Sequence, residues 1–386
     1  MVAGGRILLA YLVYFSALGA SFPFLPVFYR GLGLGLAEIG LLTAIGAGTQ
    51  LAIAPLWGGL ADRFPGSRAS LPLAAAVATA GAAILATSSD FTMVLVGSLV
   101  LAAGLSGIGP TLDARTFETL GTGRRERFGQ VRAFGSLAFV LSTLAVGVLL
   151  DVGGSRALFW VYLPALLGTL LVTMTIPRRG SARSVSVMAG ARDFLATRGM
   201  APFFAGFVIV WTALTAVNAF YSIQIVALGG SPSLVGFAWA FGSIIEVPIM
   251  YAFPRLGARF GIERLVVLGA VTFAVRALLA SFATDPVLLV VIAPLEGLAF
   301  AFVFVGGVTS VAARAPTGLG GTAQGLFSAS AGLATIIGSI CGGALAGAIG
   351  IPGLFAACAG LGLAGAATLA VAAIGPRGFE RVGRPA

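Results

Sequence analysis

Apolar residues in this chain come in blocks of membrane-spanning length, and polar residues are confined mostly to the short segments between them. A helix needs ~20 apolar residues to cross the hydrocarbon of a bilayer. By that measure the pattern predicts twelve helices, at about 6–29, 36–61, 70–88, 91–116, 129–150, 156–176, 200–226, 233–254, 264–283, 286–312, 321–348 and 352–375. In lipid every backbone amide must be bonded internally, so apolar blocks this long are read as helices. Arg6 followed by the run Ile7–Phe28 has the beginning of a secretory leader. The run is too long for a leader's apolar segment, so the first block is expected to be an uncleaved span.

The pattern breaks once, near the midpoint. From Pro177 to Met200 the chain reads PRRGSARSVSVMAGARDFLATRGM, with Arg178, Arg179, Arg183, Arg192 and Arg198 against the single acid Asp193. Expected is therefore an all-α integral membrane protein of two six-helix lobes, 1–176 and 200–386, joined by a loop at 177–199. An internal repeat supports the two lobes. Gly40 and Gly236, Gly46 and Gly242, Gln50 and Glu246, Leu60 and Leu256, and Arg63 and Arg259 each lie 196 residues apart.

Composition agrees. Charged residues are 9% of the chain and mean hydropathy is +1.04, whereas a soluble domain is about a quarter charged. The 56 glycines suit close approach of membrane helices. All 23 basic residues are arginines. With the chain starting inside, 19 of them fall in inner segments and only Arg30 and Arg156 in outer loops. That asymmetry predicts cytoplasmic termini and a cytoplasmic central loop. It also accounts for the net charge of +10 without nucleic acid. Cys341 and Cys358 lie inside apolar blocks and are expected to be buried thiols.

No catalytic constellation is present. Histidine is absent, which removes histidine triads and histidine metal sites, and two isolated cysteines make no metal centre. No glycine-rich loop ends in Gly-Lys-Ser or Gly-Lys-Thr, so ATP is not the energy source and no cofactor is expected.

The stretch GGLADRFPGSR, Gly58 to Arg68, resembles the loop signature of the major facilitator superfamily, with Gly59, Asp62, Arg63 and Arg68 at its motif positions. Its counterpart RLGARFGIER, Arg255 to Arg264, has Ala258 in place of the acid. FPFLPVFYRGLGL from Phe22, RFGQVRAFGSLAF from Arg127, and Ala274 to Phe300 narrow the likeness. They resemble the branch holding lactose permease, nucleoside–proton symporters and phenylpropionate permeases. The resemblance implies a twelve-helix transporter whose lobes rock about a central site. It places Gly59, Asp62, Arg63 and Arg68 in a conformational switch.

Ionisable groups inside the membrane are functional candidates, because each is costly there. They are Asp113, Arg132, Glu246, Arg276 and Glu296. By the resemblance, Arg132 matches the substrate-binding arginine, and Asp113 falls one position from its acidic partner. Both would otherwise be read as interfacial residues reaching toward water. Arg276 needs a buried anion, since it does not deprotonate. Glu296 and Glu246 are the acids available to it, either as a coupling site or as a static pair. The resemblance puts Glu296 at a histidine of the lactose permease coupling cluster, whose glutamate and lysine are Ala299 and Ala293 here. Asn218, Tyr221 and Gln224 share one helix face, with Trp211 before them and Gln50 at the mirror position of Glu246. Such groups suit a polar substrate with an apolar face, or they bind helix to helix.

The expected function is secondary transport of a small organic solute (a sugar, nucleoside or aromatic acid) across the inner membrane by a monomer. Buried carboxylates favour proton-coupled uptake over uncoupled diffusion, and an exporter of the same fold is the alternative. A non-transporting assembly factor or a membrane enzyme would lack this charge set or carry a catalytic one.

Overall fold

The computed structural model describes residues 2–63, 69–120, 128–176, 194, 199–315 and 320–374. In chain order they form α1 (Val2–Ser21), α2 (Leu25–Gly31), α3 (Leu36–Arg63), α4 (Ser70–Thr87), α5 (Phe91–Leu120), α6 (Phe128–Gly153) and, after a 3-10 turn, α7 (Phe159–Met174). Then follow α8 (Met200–Ala227), α9 (Pro232–Phe260), α10 (Ile262–Ser281), α11 (Pro286–Ile292), α12 (Pro294–Phe300), a π turn (Ala301–Val305), α13 (Gly306–Arg314) and α14 (Gly320–Ile374). There is no strand among the described residues.

Among the described residues, ten stretches are long and apolar enough to cross a membrane. The last two expected spans run together in α14, which bends at Gly350 (φ 77°, ψ 166°) just before Pro352. That backbone is open to glycine and strained for other residues. The 20-residue α10, with Glu263, Arg264 and Arg276, is not among the ten. Prolines explain two further departures from the expected spans. Pro23 and Pro26 interrupt the first between α1 and α2, and Pro294 separates α11 from α12. A proline has no amide proton to continue a helix ladder.

Helices pack chiefly within each half. In the first, α1 lies against α6 and α7, and α4 against α5 and α7. In the second, α14 runs along α8 and α10, and α12 packs on α9 and α10. The halves meet where α6 crosses α9, α3 crosses α14, and α2 touches α8.

Along α3 the closest approach to α14 is at Gly40. A Cβ on Gly40 would lie 2.8 Å from the Gly343 Cα, one on Gly48 would meet the Ile336 side chain at 3.7 Å, and one on Gly59 would meet nothing within 4 Å. On the other seam, a Cβ on Gly147 would lie 2.9 Å from the Pro232 carbonyl oxygen. The Phe22 ring also stands edge-on to Trp239 at 5.1 Å. The closest approaches between the halves thus lie at the end carrying Arg30 and Arg156, the arginine-poor end.

Cys358 is buried as expected, but Cys341 is exposed on α14. It lies in an apolar block all the same, and helix rotation decides which side of a block faces outward.

Candidate functional site

Two clusters of polar side chains occupy the membrane-spanning part, one in each half. The first is built on α1, whose Tyr11, Tyr14 and Phe15 share one face at i, i+3 and i+4. They line a cavity of about 210 Å³ together with Asp113 of α5 and Arg132 of α6. The Tyr11 hydroxyl donates to Asp113 Oδ1 at 2.5 Å, and the Thr116 hydroxyl lies 3.3 Å from it. The Arg132 guanidinium carbon stands 4.0 Å from the centre of the Phe15 ring. A cation over an aromatic face is attracted to the ring's negative π cloud, by about 0.5–2 kcal/mol according to how dry the site is.

Arg132 forms no ion pair among the described residues, with Asp113 or any other acid. Its face rests on Phe15, and its edge, which carries the N–H donors, is left for another acceptor. Sequence reasoning missed Tyr11, Tyr14 and Phe15. Their signal was the aromatic triplet on one face of the first span.

The second cluster joins three helices. Arg276 of α10 is 1% exposed, and its NH1 contacts Glu296 Oε2 of α12 at 2.6 Å. Asn218 of α8 donates from Nδ2 to Glu296 Oε1 at 2.6 Å and accepts from Arg276 NH1 on Oδ1 at 3.2 Å. The Tyr221 ring lies beneath the guanidinium at 4.2 Å, and its hydroxyl donates to the Leu289 carbonyl at 2.5 Å. The acid that Arg276 required is therefore Glu296. A buried pair of this kind is held by necessity. Removing one member leaves an uncompensated charge, at a cost of about 3–5 kcal/mol.

Glu246 of α9 has no hydrogen bond or ion pair among the described residues and lies within electrostatic reach of both Glu296 and Arg132. Gly242 and Gly297 bring its helix there: a Cβ on Gly297 would stand 2.9 Å from the Glu246 amide nitrogen.

The remaining candidates disperse. Trp211 sits away from the hydrogen-bonding groups, stacked on Phe207 at 5.4 Å and flanked by Phe300 and Phe304. Gln224 is buried, and its amide has no partner among the described residues. Gln50 is exposed on α3, and so is Gly59. Arg68 and the side chains of Asp62 and Arg63 lie outside the described residues, as do the arginines of the central loop.

With this geometry in hand, the comparisons are decisive about the family. Residues 6–357 match the MFS_1 like family. The chain belongs to it. The transporter is 31% identical over 281 residues to the maltose permease of Geobacillus stearothermophilus, covering 72% of this chain and 70% of that one. It is 28% identical over 282 residues to a probable 3-phenylpropionic acid transporter of Escherichia coli (strain K12), covering 69% and 71%. The solved structure of the nucleoside transporter NupG superposes with a TM-score of 0.85 at 17% identity, covering 96% of this chain and 99% of NupG. That likeness concerns the fold. The protein is a multi-pass major facilitator transporter of small solutes and not an enzyme.

Proposed function

We propose that this transporter takes up a small organic solute together with protons across the inner membrane, working as a monomer by alternating access. The single observation that carries the reading is the unequal state of its two deep arginines. Arg276 is engaged through NH1 with Glu296 and Asn218, whereas Arg132 stands in a cavity with its donors unclaimed by any ion pair among the described residues. An engaged arginine beside a carboxylate suits coupling, and an unclaimed one suits substrate.

Arg132 would hold the solute's acceptor group, with Asp113 and the α1 aromatics shaping the cavity. Trp211, Gln224 and Gln50 lie outside that lining and would meet the solute only in another conformation. Glu296 would carry the proton, partnered by Arg276, with Glu246 as the alternative carrier. A carboxylate favours its charged form beside a guanidinium and its neutral form in apolar surroundings. Movement of one relative to the other therefore ties proton affinity to conformation. Gly59, Asp62, Arg63 and Arg68 would form the switch. The lobes would be 1–176 and 200–386, joined by 177–199. The substrates named for the relatives, maltose and 3-phenylpropionic acid, and the nucleosides of NupG define the classes to screen.

The test is uptake into proteoliposomes of labelled sugars, nucleosides and aromatic acids, with and without an imposed proton gradient. Accumulation of one class only with the gradient supports the reading. Accumulation that ignores the gradient removes proton coupling, and net export against the solute gradient reverses the direction.

A further inference from the structure

The ring of Arg276, Glu296 and Asn218 has only one consistent orientation of its amide. Arginine offers donors alone, and an ionised carboxylate offers acceptors alone. Asn218 must therefore turn Nδ2 to Glu296 and Oδ1 to Arg276, as it does at 2.6 Å and 3.2 Å. The ring is closed, and each of the three side chains comes from a different helix.

We propose that Asn218 is the positioning residue that lets Glu296 exist in both protonation states, its amide turning over as the proton arrives. The proposal rests on the reading of Glu296 as the proton carrier. A proton delivered by hydronium adds to Glu296 Oε1: one O–H bond breaks in the hydronium, leaving water, and one forms on the carboxyl. The new hydroxyl needs an acceptor. Arg276 has none to give, and the Tyr221 hydroxyl is directed to Leu289. Asn218 Oδ1 is the acceptor within the ring. Half a turn about the amide's last torsion brings it to Glu296 and places Nδ2 against Arg276.

Two donors then face each other, and Glu296 has lost its charge. Arg276 NH1 thereby loses its acceptor on Asn218 and keeps only the now neutral Oε2 of Glu296. The charged groups facing Glu296 are Arg276 from α10 and Glu246 from α9, with Arg132 of α6 in electrostatic reach of Glu246. Glu246 is the other acid beside Glu296. Loss of the proton reverses each step. The face of α8 that carries Asn218 is held in register by Ser222, one turn on, whose Oγ accepts from Trp239 Nε1 of α9 at 2.9 Å. Alanine at position 218 could neither donate nor accept, aspartate could not donate to an ionised partner, and glutamine keeps both functions.

The experiment needs no substrate. The full-length transporter in lipid nanodiscs is titrated with acid while infrared difference spectra record the C=O stretch of protonated carboxyl groups. Glu296→Gln identifies the Glu296 band by its loss. In Asn218→Ala that band should rise in frequency, as befits an acid without its hydrogen-bond partner. Its titration midpoint should move by about one pH unit or more, the size set by losing a hydrogen bond to a charged group. Asn218→Asp, nearly isosteric and so kinder to folding, should also displace the midpoint, while Asn218→Gln should restore it. A Glu296 band unmoved in both Asn218→Ala and Asn218→Asp overturns the proposal and leaves Glu296 as carrier. If Glu296→Gln removes no band, the reading of Glu296 itself falls.

Discussion

Asp151, at the last turn of α6, caps the first turn of α9 across the seam between the halves. Its carboxylate accepts from the Ser233 amide at 3.2 Å and from the Ser233 hydroxyl. The first amides of a helix lack internal acceptors and carry partial positive charge, so an anion is favoured there. Ser231 caps the same helix by accepting from the Leu234 amide at 3.3 Å, so the cap from Asp151 is a second one. It joins the halves at the arginine-poor end.

Asp151→Ala should therefore favour opening at the arginine-poor end. A cap of this kind is worth ~1 kcal/mol, about a fivefold change in a two-state ratio. In a background lacking Cys341 and Cys358, a cysteine at Leu18 should react severalfold faster with a maleimide added from that end. Equal rates with and without Asp151 would show that the cap does not bear on closure.

Arg132→Lys should weaken substrate binding by tenfold or more although the charge is kept. Lysine has no planar fork of donors and stacks less well over Phe15. Equilibrium binding of whichever solute the uptake screen identifies is the measurement. Unchanged affinity would return Arg132 to the role of a side chain reaching for water.

Glu296→Gln mimics the protonated form. Its proton-driven accumulation, divided by its own exchange rate, should fall to the level seen without a gradient. Should accumulation persist, Glu296 is not the carrier, and the same measurement on Glu246→Gln decides whether that residue takes its place.

Asp62→Asn should slow transport several-fold with little change in substrate affinity, since Asp62 stands at the loop end of α3, far along from the contact at Gly40. An anion there can pair with a loop arginine or a helix N-terminus. A large loss of binding with normal turnover would exclude a switching role.

The loop 177–199 should be cytoplasmic, as its five arginines require. A cysteine placed in it should react with an impermeant reagent in inverted vesicles and not in intact cells. Labelling of intact cells would invert the topology.

Much of this was legible in the chain because it depends on local chemistry. Apolar blocks announce helices, as lipid leaves the backbone no other partner. Pro294, which has no amide proton, accounts for a break that the expected span 286–312 ran across, and nothing in AFVFV signalled the π turn that follows. Arg276 announced that it must have a buried anion, because it does not deprotonate. Glu296 was the expected partner with Glu246 as the alternative, and the sequence alone could not decide between them. Glu246 and Glu296 are both deep acids of the same half, and only the rotation of α9 and α12 about the Gly242–Gly297 contact turns one toward Arg276 and leaves the other without a partner. The same holds for Arg132, which the resemblance put near Asp113 without pairing the two: it rests on Phe15, while Asp113 takes its hydrogen bond from Tyr11. Helix and depth follow from composition along one segment. Partners follow from the packing of several, and that is a property of the tertiary structure.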